Sequence, residues 1–152
     1  MPAPNPIESA IAEAVAASLA AATFQGAITA VPAVFAEYAD PAGEEFSTLK
    51  AYVSPGELTI EAGTRGADRH EVITQILIGK RCTSDAERRD MRVLQTQIAD
   101  MIRRGALPAA SPAMPANVSL VSLQPIAAPG RDMLGMDVWL VAIGVQWMTI
   151  LT

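Results

Sequence analysis

An α+β fold, with two main helices packed on one face of an antiparallel or mixed sheet of about five strands, is predicted by three features of the sequence. Two segments repeat apolar residues at helical spacing, several shorter runs alternate or are rich in branched side chains, and the order is helix, three or four strands, helix, two strands. At 152 residues the chain reads as a single domain, 1–152, large enough to bury a sizeable core. Residues 1–5 read as a flexible tip.

The first helix starts at Asn5-Pro6-Ile7-Glu8, with Asn5 expected as the cap, Pro6 in the first helical position and Glu8 reaching back. Ile7, Ile11, Val15 and Leu19 give it one apolar stripe, and it ends before Gly26. Ala14, Ala17, Ala21 and Ala22 keep its other sides thin, so a neighbour can approach closely.

From Ile28 to Ile78 the pattern is β-like. Val34 to Tyr38 is one run and Leu49 to Val53 a second, which Ser54-Pro55-Gly56 is expected to close; "ELTIEAG" is a third. His70 to Gly79 alternates Val72, Thr74, Ile76 and Ile78 with the opposite face. The intervening "GTRGADR", Gly63 to Arg69, reads as a mobile loop.

Ser84-Asp85-Ala86-Glu87 is a capping box for a second helix, whose Met91, Leu94, Ile98, Met101 and Ile102 point inward. Arg103-Arg104-Gly105 supplies a cationic last turn and a glycine stop. Arg88, Arg89, Arg92, Asp90 and Asp100 form its wet face. Three prolines make 105–116 a connector within the domain. Asn117 to Ile126 reads as a strand, "QPIAAPGRD" as a turn or loop, and Asp137 to Leu151 as a strand returning antiparallel.

That closing run is too short for a membrane span, which needs roughly 20 apolar residues, and it contains Gln146. Branched and aromatic residues crowd a helix and suit a pleated surface. Trp139, Val141, Ile143, Val145 and Trp147 make one face, and the smaller Leu140, Ala142, Gly144, Gln146 and Met148 make a flatter second one.

The chain is 51% hydrophobic and 18% charged, a surplus of apolar residues that points to surface buried between subunits. Its net charge of −5 disfavours tight nonspecific binding to nucleic acid. One cysteine, Cys82, excludes an internal disulfide and suits a reducing compartment. The Ala-rich start lacks a basic leader and carries Glu8 and Glu13, against a signal peptide.

Catalytic constellations are scarce. His70, the single histidine, and Cys82 stand near opposite ends of one predicted strand, roughly 35 to 40 Å apart by the rise per residue, and so are poor catalytic partners. One histidine and one cysteine do not make the zinc sites built from several. The carboxylates lack an EF-hand pattern and no glycine-rich phosphate loop precedes Lys50 or Lys80. No catalytic, cofactor or metal residues are assigned, and no enzymatic activity or cofactor is expected.

The succession of a capped helix, "AVFAEY", "LKAYVSPG", the Thr-Arg loop Gly63-Thr64-Arg65-Gly66, "RHEVITQILI", "DAERRDMRVLQTQIADMIRR" and two terminal strands resembles the tail terminator (tail completion, neck) proteins of long-tailed bacteriophages, over roughly Ile7 to Thr152. The motifs form a pattern more than a signature, and the chain departs from the family in its wealth of Ala and Pro and in its apolar last strand. The resemblance implies a structural virion protein of the tail neck, synthesised in the host cytoplasm, with an α+β sheet and helices on one side. It implies a homo-oligomeric ring, commonly a hexamer, that caps the tail tube, stops its polymerisation and provides the head–tail joining surface. Expected partners are the major tail tube protein and the head–tail connector protein; DNA passes through the pore without specific binding, and no membrane is involved. Thr64, Arg65 and Arg69 in one loop, and Arg131 and Met133 in the segment from Gln124 to Met136, are the candidate interaction residues. Rival readings are a head-completion or connector adaptor of the neck, a small-ligand-binding or enzymatic α+β domain, which needs a pocket with convergent polar groups, and an interaction module of a secretion apparatus.

Overall fold

The computed structural model describes residues 5–39, 46–62, 68–124 and 137–151. Along the chain these form α1 (Ile7–Ala21), β1 (Ala33–Phe35), β2 (Lys50–Ala62), β3 (Asp68–Arg81), α2 (Asp85–Arg103), β4 (Val118–Leu123) and β5 (Val138–Leu151). The strands make one sheet in the order β1-β2-β3-β5-β4. β1 runs parallel to β2 and every other pairing is antiparallel, so the sheet is mixed.

Side chains alternate across the sheet, and here the alternation separates a helix-covered face from one on which no helix lies among the described residues. Val72, Ile76 and Ile78 of β3 share a buried cluster with Trp139, Val141, Ile143, Val145 and Trp147 of β5, as the spacing of the closing run predicts. α1 lies over β1, β2 and β3, and α2 over β4 and β5. Ile11, Val15 and Leu19 of α1 and Met91, Leu94 and Ile98 of α2 are fully buried in that same cluster. Both helices therefore cover one face, and each large apolar side chain sealed there contributes about 1.5–3 kcal/mol. The indole N–H groups on this face are satisfied: Trp139 donates to Gln95 at 3.2 Å and Trp147 to the buried Thr74 hydroxyl at 3.1 Å. On the other face Phe46, Leu77 and Leu140 form a smaller cluster with Tyr52 and Ala142 at its rim.

The second helix is closed at both ends as its sequence requires. Ser84 Oγ accepts the backbone N–H of Glu87 at 3.2 Å, while Glu87 Oε1 accepts from the Ser84 and Thr83 hydroxyls. At the far end Gly105 takes φ +64°, its N–H donates to the Ile102 carbonyl, and the N–H of Ala106 donates to that of Met101. This pair of bonds is a Schellman closure, and it satisfies carbonyls that helix geometry leaves orphaned. The connector 105–116 then leads to β4.

Several local expectations are corrected. Pro6, not Asn5, occupies the cap of α1, with no side-chain cap bond; the Pro6 carbonyl accepts from Ala10, and Asn5 instead donates to Glu13 at 3.4 Å. Ser54-Pro55-Gly56 does not end a strand: the two runs it was expected to separate are one strand, β2, with a one-residue bulge between Pro55 and Leu58. The bulge suits this tripeptide, since Pro55 has no N–H for the ladder and a Cβ on Gly56 would stand 2.9 Å from the Ile73 carbonyl oxygen. Asp68 and Arg69 belong to β3, where they pair with Ala62 and Glu61, and not to the preceding loop. The run expected over Val34 to Tyr38 shrinks to Ala33–Phe35.

Candidate interaction surface

Of the five candidate interaction residues, Arg69 lies in the described part of the chain; Thr64, Arg65, Arg131 and Met133 lie outside it. Arg69 is exposed near the end of the β2–β3 hairpin, and its guanidinium donates to Glu71 at 2.8 Å. Glu71 also accepts from Gln146 of β5 at 3.5 Å, tying the row across two strands. Ile60 and Ile150, on strands flanking β3 at this end, are 57% and 50% exposed. The hairpin end thus combines apolar surface with a charge pair.

His70 and Cys82 remain apart, near the two ends of β3. His70 stands opposite Ile60 on one side and Thr149 on the other. The Nδ1 of His70 and the Oγ1 of Thr149 are both buried and have no hydrogen-bond partner among the described residues. Cys82 is buried, and its backbone N–H donates to the Asp137 carbonyl at 2.7 Å, joining the end of β3 to the start of β5. Burial pushes its thiol up from the ordinary value, with Lys80 pulling the other way, so the sulfur is a packed, protonated group. Among the described residues no cluster of His, Cys, Asp and Glu has the make-up of a metal site, and no helix is long and apolar enough to cross a membrane.

Charge is distributed unevenly. No lysine or arginine precedes Lys50, whereas that stretch holds six carboxylates. Ser9 Oγ donates to both carboxylate oxygens of Glu37, at 3.0 and 3.1 Å, fixing α1 to the segment after the edge strand β1. Glu13 lies one turn along α1 from Ser9, on the same side of the helix, and exposed Tyr38 follows Glu37. On α2, Arg88 is engaged by Asp85 at 2.9 Å and by Asp137 at 3.9 Å. The guanidinium of Arg92 instead lies over the indole of Trp139, 4.8 Å from its centroid. Arg89 and Arg92 have no ion-pair partner among the described residues. Together with Asp85, Arg88 and Trp139 they line a shallow hollow of about 400 Å³. The sequence marks this arginine face as wet but does not show that Arg92 stacks on a tryptophan. The acidic edge went unread; its signal is the absence of any basic residue before Lys50.

A second cavity of about 400 Å³ lies between α1, the end of α2 and the connector, with Val15, Ile102, Leu107, Met114 and Trp147 among its walls. Ser18 brings the one side-chain hydroxyl to a lining that is otherwise apolar side chains and backbone.

Compared with known proteins, the chain matches no protein-family model and no curated protein sequence.

Proposed function

We propose that the chain is a structural virion protein, a ring-forming tail terminator of a long-tailed phage that caps the tail tube and offers the surface to which the head connector binds. The layout carries this reading: a helix, a short edge strand, a long hairpin, a second helix and two antiparallel strands, with both helices confined to one face of the sheet. This is the order and layering that the resemblance implies. Among the described residues no helix covers the second sheet face, and Ile60 and Ile150 stay exposed at the hairpin end. Such surface suits contact with further subunits.

The charge balance supports the same role. A net charge of −5 repels phosphate at long range, so duplex DNA threads an acidic pore without adhering to it. Thr64, Arg65, Arg69, Arg131 and Met133 are the residues assigned to contact with the tail tube.

Inactivation of the gene tests the assignment. Tails of uncontrolled length are expected. Normal-length free tails beside heads that leak DNA would assign the protein to the connector side, and unaltered particles would remove it from the neck altogether.

A further inference from the structure

We infer that copies of this chain join head to tail, the arginine face of α2 in one copy receiving the acidic edge built by α1 and the segment after β1 in the next. The inference rests on the ring reading above and names the contact that would close the ring.

Glu37 follows β1 at one edge of the sheet, whereas Arg92 lies over Trp139 of β5, three strands away. Gln97 of α2 exchanges hydrogen bonds of 2.8 and 2.7 Å with the backbone of Gln25, and Val93 stands against Gly26, so this flank of α2 meets the segment that follows α1. Arg89 and Arg92 border this flank beside Val93 and Gln97, and Gln95 and Arg92 reach Trp139 on β5. Beyond the other end of the helical layer, the Ser9–Glu37 bonds hold Glu37 beside α1 at the β1 edge. The arginines thus stand toward the C-terminal end of α1 and over β5, and Glu37 beside the N-terminal end of α1 at the β1 edge, so acid and base lie apart.

Charge complementarity selects the occupant. The span from Lys80 to Arg104 carries seven basic residues against four acidic ones. Ion pairs engage Asp85, Glu87 and Asp100, and half-buried Asp90 is the remaining acid. Arg89 and Arg92 are left to face solvent across a hollow floored by an indole. An isologous dimer through either surface would oppose like charges. A contact between the two different surfaces is heterologous, and it makes a ring when the rotation closes. Tyr38, 78% exposed beside Glu37, provides an aromatic anchor of the kind that pairs with arginine at contact centres. Free nucleic acid is the other polyanion that arginines attract, and the net charge of the chain opposes it.

The test is charge reversal read by native mass spectrometry and light scattering. The Arg89→Glu/Arg92→Glu and Glu13→Lys/Glu37→Lys proteins should each dissociate at concentrations at least about tenfold above wild type, which is about 1.4 kcal/mol or more in the contact. Mixing the two, or combining all four changes in one chain, should restore the ring. Because Glu37 also accepts from Ser9, the Glu13→Lys protein serves as a second acidic-edge variant that leaves this bond in place, and circular dichroism checks each fold. Rings that persist in both reversed proteins, or reversed proteins that mixing fails to rescue, overturn this contact while leaving the ring reading intact. A wild-type chain that stays monomeric with and without tail tube overturns both. Loss of binding to a short DNA duplex in Arg89→Glu/Arg92→Glu with no change in assembly assigns the arginine face to nucleic acid and overturns the inference.

Discussion

The ring of Phe46 rests directly against the bare Cα of Gly79, so closely that a Cβ on Gly79 would fall inside the ring's van der Waals surface. Phe46 anchors the small cluster on the face turned away from α1 and α2, and Tyr52 meets it edge-on at 5.8 Å. Gly79→Ala should force the ring off the sheet and cost about 1–3 kcal/mol. Urea unfolding measures it; an unchanged midpoint would show that the ring shifts freely.

Two threonines on the helix-covered face should respond with opposite signs to one substitution. Thr74 accepts the Trp147 indole N–H in a buried bond, so Thr74→Val orphans a buried donor and should destabilise by about 1–3 kcal/mol. Thr149 is equally buried, but its hydroxyl has no partner among the described residues. Thr149→Val should raise stability, by about 1 kcal/mol. Thermal unfolding of the two proteins side by side settles the signs.

The closures of α2 should be separable from assembly. Ser84→Ala removes the acceptor for the Glu87 N–H and should cost about 1 kcal/mol. Gly105→Ala places a Cβ in the left-handed region, at a cost of about 1–2 kcal/mol, with no steric clash nearby. Unfolding curves for both, together with unchanged oligomer mass, are the expected results.

Two groups give pH dependence in opposite directions. Hydrogen bonding from Arg103 is the main cause that holds the Asp100 carboxyl below its ordinary value, with Arg104 adding to it. A depressed folded value means that its contribution is present above the ordinary carboxylate range and fades as pH falls through it. Asp100→Asn should flatten that acid-side decline in an unfolding titration. Cys82 is raised by burial, so its neutral thiol favours the folded chain below the ordinary thiol value of 9.0, and stability falls as pH rises past it. At pH 8 a thiol reagent should label Cys82 slowly in the native protein and rapidly in denaturant.

Replacing Arg65 and Arg69 with glutamate tests the hairpin end. Arg69→Glu breaks the pair with Glu71 and sets two carboxylates on one face of β3. As an exposed pair it contributes little to folding, so the domain should stay folded while assembly on the tail tube weakens. Unchanged tail length and infectivity would remove these residues from the contact.

Periodicity made most of the architecture legible. The fourfold spacing of Ile11, Val15 and Leu19, the alternation of Val72 to Ile78 and the odd-numbered face of the closing run all correspond to buried rows. Ser84 and Gly105 announced their helix ends through local hydrogen bonding that needs no tertiary context. Ser54-Pro55-Gly56 misled because the same tripeptide chemistry serves a turn or a bulge, and the choice depends on β3 lying alongside. Arg92 over Trp139 joins residues 47 positions apart and follows from the docking of α2, so no local pattern carries it.

The position of β5 has a kinetic consequence. It lies between β3 and β4, although both precede it in the chain, and its ladder with β3 joins Asp68 to Leu151 and Arg81 to Val138. Contacts of such sequence separation close slowly. During synthesis β4 has no strand to bond until β5 emerges, and one edge of β3 stays bare for the whole interval. A ribosome-bound intermediate should therefore be sticky, and low temperature or a holdase chaperone during expression should raise the yield of soluble protein.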